Sequence, residues 1–194
     1  MAINYPLTLP TVTGVRSIEL QASNAVAISR SPFTFASQVH AYSGQMWSAS
    51  LTLPPMKLTA ARQWTAWLTS LRGQYGSFLL GDTSCCQISG TATSASVTGV
   101  AGDNTVTVTS NGTILAGDMI QIGSASDATL HKVLADQSGN GSLEIWPALR
   151  KVRTAAALTL TNAKGAFRLA SNEVSWSVDE ANIYGVSFSA VEKI

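Results

Sequence analysis

Only one stretch of this chain carries a helical period. In LTAARQWTAWLTSLRG (58–73), Trp64, Trp67, Leu68 and Leu71 fall at i, i+3, i+4 and i+7, which is one stripe down an α-helix. Thr59 is placed to cap its start, Arg72 suits the negative end of the helix dipole, and Gly73 sits where a left-handed residue would end it. Pro54-Pro55 stands just ahead and closes whatever sheet precedes it, because proline cannot donate to a ladder. A chain of 194 residues with a single helix must satisfy most of its backbone in strands. The stripe is read as core laid on a sheet rather than as an aromatic platform for sugar.

Much of the rest alternates. In QMWSASLTL (45–53), Trp47, Ala49, Leu51 and Leu53 share one face, and Ser48, Ser50 and Thr52 the other. NAVAISRS (24–31) alternates through Val26 and Ile28, FTFASQVHA (33–41) starts with Phe33 and Phe35 on one face, and VRSIELQA (15–22) is a weaker strand. Tyr42-Ser43-Gly44 is expected to turn the chain between 33–41 and 45–53, making those two a hairpin. From about residue 88 the strands shorten: TVTVT (105–109), MIQIG (119–123), LHKVL (130–134), SLEIW (142–146) and ALTLT (157–161), with turn signals at Asn111-Gly112 and SGNG (138–141). AFRLAS (166–171), EVSWSVD (173–179) and NIYGVSFSAV (182–191) close the chain, with a bulge expected at Gly185, where the apolar parity passes from Ile183 to Val186 and Phe188. The predicted fold class is mainly β. One domain, a β-sandwich with a packed helix, is built from 1–87 and 165–194, and a small β-barrel is inserted at 88–164.

Candidate chemistry is sparse. HExxH, GxSxG, Walker and GxGxxG patterns are all missing from the sequence. His40 and His131 lie inside strand patterns and are read as surface or edge residues. Asp103, Asp118 and Asp127 fit turn positions. The adjacent Cys85 and Cys86 are read as reduced, ordinary thiols, since a bond between them would close a strained ring. No catalytic residue, cofactor or metal ligand is therefore assigned. Trp146, in LEIWPALR, is the one candidate for surface recognition of carbohydrate, beside its reading as a barrel-core residue.

Charge narrows the partners. Charged residues make up 12% of the chain and the net charge is +1, against about 25% in ordinary soluble domains. There is no basic field for nucleic acid, and Arg150, Lys151 and Arg153 are read as a solvated edge. A surface so poor in charge suits a protein covered by neighbours. No apolar run is long enough for a membrane helix, and MAINYPLTLP lacks the pattern of a signal peptide, so synthesis and retention in a cytoplasm are expected.

The segment SPFTFASQVHAYSGQMWSASLTLPPMKLTAARQWTAWLTSLRGQYGSFLLGD (31–82) resembles a family of tail proteins from siphoviruses, the long-tailed bacteriophages. The likeness rests on Trp47, Leu53, Pro54, Pro55, Met56, Trp64, Leu71, Gly73, Tyr75, Gly76, Phe78, Leu80, Gly81 and Asp82. A second block, HKVLADQSGNGSLEIWPALR (131–150) with GAFRLAS (165–171), is similar to the inserted module of those proteins. The resemblance implies a distal or minor tail protein with no catalytic activity. Its first domain would be tail-tube-like, with Trp47, Trp64, Trp67, Leu71, Gly73, Tyr75, Gly76, Phe78 and Asp82 forming core and junction. The inserted barrel would be OB-like. Such proteins form a ring, usually of six copies, that joins the tail tube to the hub and receptor-binding parts, with DNA passing through the lumen unheld. A carbohydrate-binding or host-surface-binding module is the alternative. The chain departs from the family after Asp82, where Thr83-Ser84-Cys85-Cys86 follows in place of a proline- or glycine-containing turn.

Overall fold

The computed structural model describes residues 3–82 and 87–194. The predicted junction at Cys85-Cys86, and the reading of those two thiols, lie outside the described residues. The first strands are β1 (Ser17–Arg30), β2 (Ser37–Thr52) and β3 (Met56–Lys57), followed by helix α1 (Leu58–Ser70) and β4 (Phe78–Leu80). Then come β5 (Ala95–Gly99), β6 (Thr105–Ser110), β7 (Thr113–Ile114), β8 (Met119–Ile122), β9 (Thr129–Val133), β10 (Gln137–Ser138), β11 (Gly141–Trp146) and β12 (Arg153–Thr159). The chain ends with β13 (Gly165–Leu169), β14 (Trp176–Val178) and β15 (Ile183–Glu192).

The fold is mainly β, with one α-helix among the described residues, as predicted. Strands from the two ends of the chain make a seven-stranded sheet in the order β1-β2-β15-β13-β4, with β3 and β14 pairing onto the first part of β15. The middle of the chain closes a six-stranded antiparallel barrel in the order β11-β6-β5-β12-β8-β9. Each has its own core. Trp64, Leu68, Leu71, Phe78 and Phe167 are fully buried between helix and sheet, and Val108, Ile120, Ile122, Leu143 and Ile145 fill the barrel. Burial of each large side chain contributes on the order of 2–3 kcal/mol.

The helical stripe meets the sheet as expected, with ring pairs Trp64–Trp67, Trp67–Phe78 and Phe78–Phe188 at centroid distances of 5.6, 5.1 and 6.1 Å. Its ends differ from the prediction. Lys57, not Thr59, is the N-cap, and no side chain caps it, because the helix follows β3 directly and so starts earlier than the sequence signal. At the other end Arg72 takes the first left-handed position (φ 52°) and Gly73 the second (φ 67°). A Cβ on Gly73 would lie 2.7 Å from Asn172 Oδ1 and 2.9 Å from Asn172 Cα. Gly76 has no room for one either, since its Cβ would come within 2.6 Å of the Leu71 carbonyl oxygen.

Two predicted turns and one predicted bulge resolve differently. Tyr42-Ser43-Gly44 does not turn the chain; it lies inside β2, opposite the register shift between Asn24 and Val26. The hairpin is β1–β2, and it turns at Ser31–Ala36, where the Ser31 carbonyl accepts from Phe35 N–H and the Ser31 N–H donates to the Ala36 carbonyl. Asn111-Gly112 joins β6 to β7, but these do not pair; β6 pairs β5 and β11, and β7 pairs β10. Gly185 carries no bulge. The register through Ser177↔Gly185 is unbroken, and even-numbered Tyr184, Val186 and Phe188 keep one face while Ile183 is exposed.

Gly73→Val is expected to lower stability by about 2 kcal/mol or more, from strained φ plus the clash with Asn172. Arg72→Gly, which relieves a left-handed non-glycine residue, should be neutral or stabilising by up to about 1 kcal/mol. Urea unfolding of the two variants checks both.

Candidate functional site

The β1–β2 hairpin runs past the sheet and past the barrel. From Ala22 to Arg30 and from Ser37 to Gly44 every residue is exposed. Register places Val26 opposite Ala41 and Ile28 opposite Val39, so these four share one face of the arm; Ala27 with His40 and Ser29 with Gln38 share the other. The first face is apolar, with Val26, Ile28 and Val39 exposed by 49, 66 and 60%. At the tip, Phe33 and Phe35 are exposed by 91 and 73%, and Phe35 is left-handed (φ 57°). Between Leu20 and Gln45 the only ionisable side chains are Arg30, His40 and Tyr42. Small free-standing surfaces rarely leave so many neighbouring large apolar side chains uncovered.

The total surface is also large for the mass. The protein exposes 10849 Å², whereas a folded monomer of 20.3 kDa exposes about 8,800 Å². The excess is on the scale of one standard protein–protein interface.

The arm's base is held by the barrel. Trp47 lies at the foot of the arm in β2, its indole N–H donating to the Leu130 carbonyl of β9 at 2.9 Å, and Trp146 stacks edge-on against it at 4.5 Å. The Trp146 indole N–H donates to Asn24 Oδ1 (2.7 Å) on β1, and Ala148 N–H donates to Gln45 Oε1 (2.6 Å) on β2. Arg150 Nη2 reaches both the Gln45 carbonyl (2.6 Å) and Glu192 Oε2 (2.7 Å), and that carboxylate oxygen also accepts the Trp47 backbone N–H (3.1 Å). The Glu192 side chain is only 2% exposed. A buried carboxylate needs such partners, since an unpaired charge there would cost several kcal/mol.

Of the residues singled out in the sequence, Trp64, Trp67, Leu71 and Phe78 gather in the sheet core, and Trp47 and Trp146 meet at the junction. Trp146 is half-buried between barrel and sheet, with its ring edge-on to Trp47 and its N–H donating to Asn24. Tyr75 is 71% exposed against Tyr5, and Asp82 is half-buried beside Leu79, Asn162 and Lys164. Arg150 and Arg153 do not form a solvated edge. Arg153 Nη2 pairs with Asp127 at 2.6 Å, as does Lys151 Nζ at 2.6 Å. The Lys151 hydrogen bond, helped by Arg153, holds the Asp127 carboxyl below its ordinary value against the cost of desolvation.

His131 is not a surface residue. It is fully buried in β9, where it shares a face with Val133 and is opposite Ile120. Its Nδ1 faces the Pro147 carbonyl at 2.8 Å and must donate, so Nε2 accepts from the Thr129 hydroxyl at 2.8 Å. Burial is the main cause that pushes its pKa down to about 4, with the charges of Arg150 and Arg153 adding and the Pro147 bond opposing. Among the described residues no three His, Cys, Asp or Glu side chains gather to hold a metal ion, and no helix of the described residues is long and apolar enough to cross a membrane.

Sequence reading missed the arm and the partners Asn24, Gln45 and Glu192. The arm's signal was the unbroken run from Ser17 to Arg30; its alternation at Val26 and Ile28 matches that of a half-buried strand. No protein-family profile matches the chain, and neither does any curated protein.

Two outcomes test the site. The folded pKa of His131, about 4, lies below its unfolded value of 6.5, so the unfolded chain binds the proton first and stability falls as pH drops through that interval. The loss should reach roughly 3 kcal/mol, and His131→Gln should flatten this slope in melts recorded from about pH 7 to pH 4. Arg150→Met leaves Glu192 buried without its cation and should lower stability by about 3 kcal/mol in urea unfolding.

Proposed function

We propose that this chain is a structural, self-assembling protein of a long-tailed bacteriophage tail tip. It would form a ring, hexameric by the resemblance, that joins the tail tube to the hub or baseplate and receptor-binding parts. The observation that carries the reading is the projecting arm, apolar on one face and at its tip, and bolted at its base to the barrel. An arm of this kind gains its stability when a neighbour covers it. The sparse charge of the chain supports the same reading, because permanent interfaces are depleted in charge at their centres. The inserted barrel, OB-like by the resemblance, then sits beside the arm's root as an appendage of the ring.

The outward face of the sheet suits a lumen. Gln21, Ser48, Ser50, Thr52, Ser187 and Ser189 line it, and among the described paired residues of that face Glu19, Lys57 and Arg168 are the charged ones, as the register of β1, β2, β3, β15 and β13 dictates. DNA can pass such a face without being held, since phosphate affinity comes from clustered cations. The ring would be made in the bacterial cytoplasm and carried in the virion.

Light scattering after size exclusion, with electron microscopy of the eluted particles, tests the proposal. Closed rings of a fixed copy number are expected, together with antibody labelling at the tail tip of virions. A chain that stays monomeric at high concentration overturns it.

A further inference from the structure

A second uncovered apolar surface lies at the other end of the same sheet. Strand β15 pairs β2 from Val191↔Ser48 to Ser187↔Thr52, and its earlier residues lie past the end of β2, where they pair β3 and β14. The arm leaves the sheet in the opposite direction, beyond Trp47. Trp176 is paired with Val186 and Val178 with Tyr184, so both continue a face whose inner members, Val186 and Met56, are buried. Yet Trp176 and Val178 are themselves 44 and 49% exposed, because β14 is the outermost strand there.

We infer that the apolar face of the arm seats on the β14 edge of a second copy of this chain, head to tail. The inference rests on the self-assembly reading and names its contact. Charge favours this occupant. The arm brings Arg30 and no carboxylate, while the segment from Ser171 to Ile183 carries Glu173, Asp179 and Glu180, all exposed, and no Lys or Arg. Area is compatible with it, since the excess of about 2,000 Å² over a monomer of this mass is at the upper end of what a standard interface hides on its two partners together, about 1,200–2,000 Å². The two surfaces differ and lie at opposite ends, so the contact is heterologous; repeated, it closes a ring or propagates a filament rather than stopping at a dimer.

Two variants test it, each at an exposed position and each checked for an unchanged circular dichroism spectrum. Ile28→Glu disables the arm and Val178→Glu disables the edge. Alone, each should self-associate about tenfold or more weakly than the wild type, since a carboxylate is forced into an apolar contact. Mixed in equal amounts at a concentration where each alone is monomeric, they should give heterodimers and nothing larger, because one good arm then meets one good edge. A mixture that stays monomeric, or a Val178→Glu variant that assembles like the wild type, overturns the arm-to-edge contact while leaving self-assembly standing. A wild-type chain that never assembles overturns the assembly reading itself.

Discussion

Glu192 sits where the three parts of the molecule meet. Its carboxylate takes the Trp47 backbone N–H from the root of the arm and the Arg150 guanidinium from the barrel, while its own strand belongs to the centre of the sheet. A buried ion pair of this kind adds little net stability over a well-packed apolar substitute, because desolvation offsets much of the attraction. What it imposes is geometry: both charges must be matched, and only one placement of the barrel matches them. Trp47 and Trp146 supply the apolar area around that point, and the two indole N–H groups, each donating across the junction, fix orientation.

The consequence reaches the arm. Asn24 and Gln45 face each other across β1 and β2, and both are held by residues that follow β11 or end it. Beyond them the hairpin has no support among the described residues except its own ladder. An isolated two-stranded ribbon is marginal in water, so its direction depends on the clamp at its root. A barrel inserted far away in sequence thereby serves as the abutment for the surface that the proposed assembly uses.

Much of this fold could be read from pattern. The helix over Trp64, Trp67, Leu68 and Leu71, the alternating core face of β2, and the run of short strands between 95 and 159 follow from periodicity of 3.6 or 2, which local backbone geometry enforces. The errors share a cause. Tyr42-Ser43-Gly44 and Gly185 carry turn or bulge chemistry, but pairing partners on either side were sufficient to keep the strand running. Asn111-Gly112 does turn the chain, yet Asn111 Oδ1 serves Thr93 and Ser94 N–H groups, so the strands it joins go to different partners. Local signals report a change of direction, whereas closure of the barrel decides what pairs with what.

Side-chain period is a local property, so the element types and the two apolar sets were legible in the order of residues, as was the shortage of charge. Which alternating strand is core and which is arm was not: Leu51 and Ile28 sit in similar patterns, one fully buried and the other 66% exposed. Only the rolling of β9 into a closed barrel made His131 an interior residue. Only the packed chain brought Asn24, Gln45, Trp146, Arg150 and Glu192 together from distant positions. Burial and pairing arise when the whole chain closes on itself, and no window of neighbouring residues contains them.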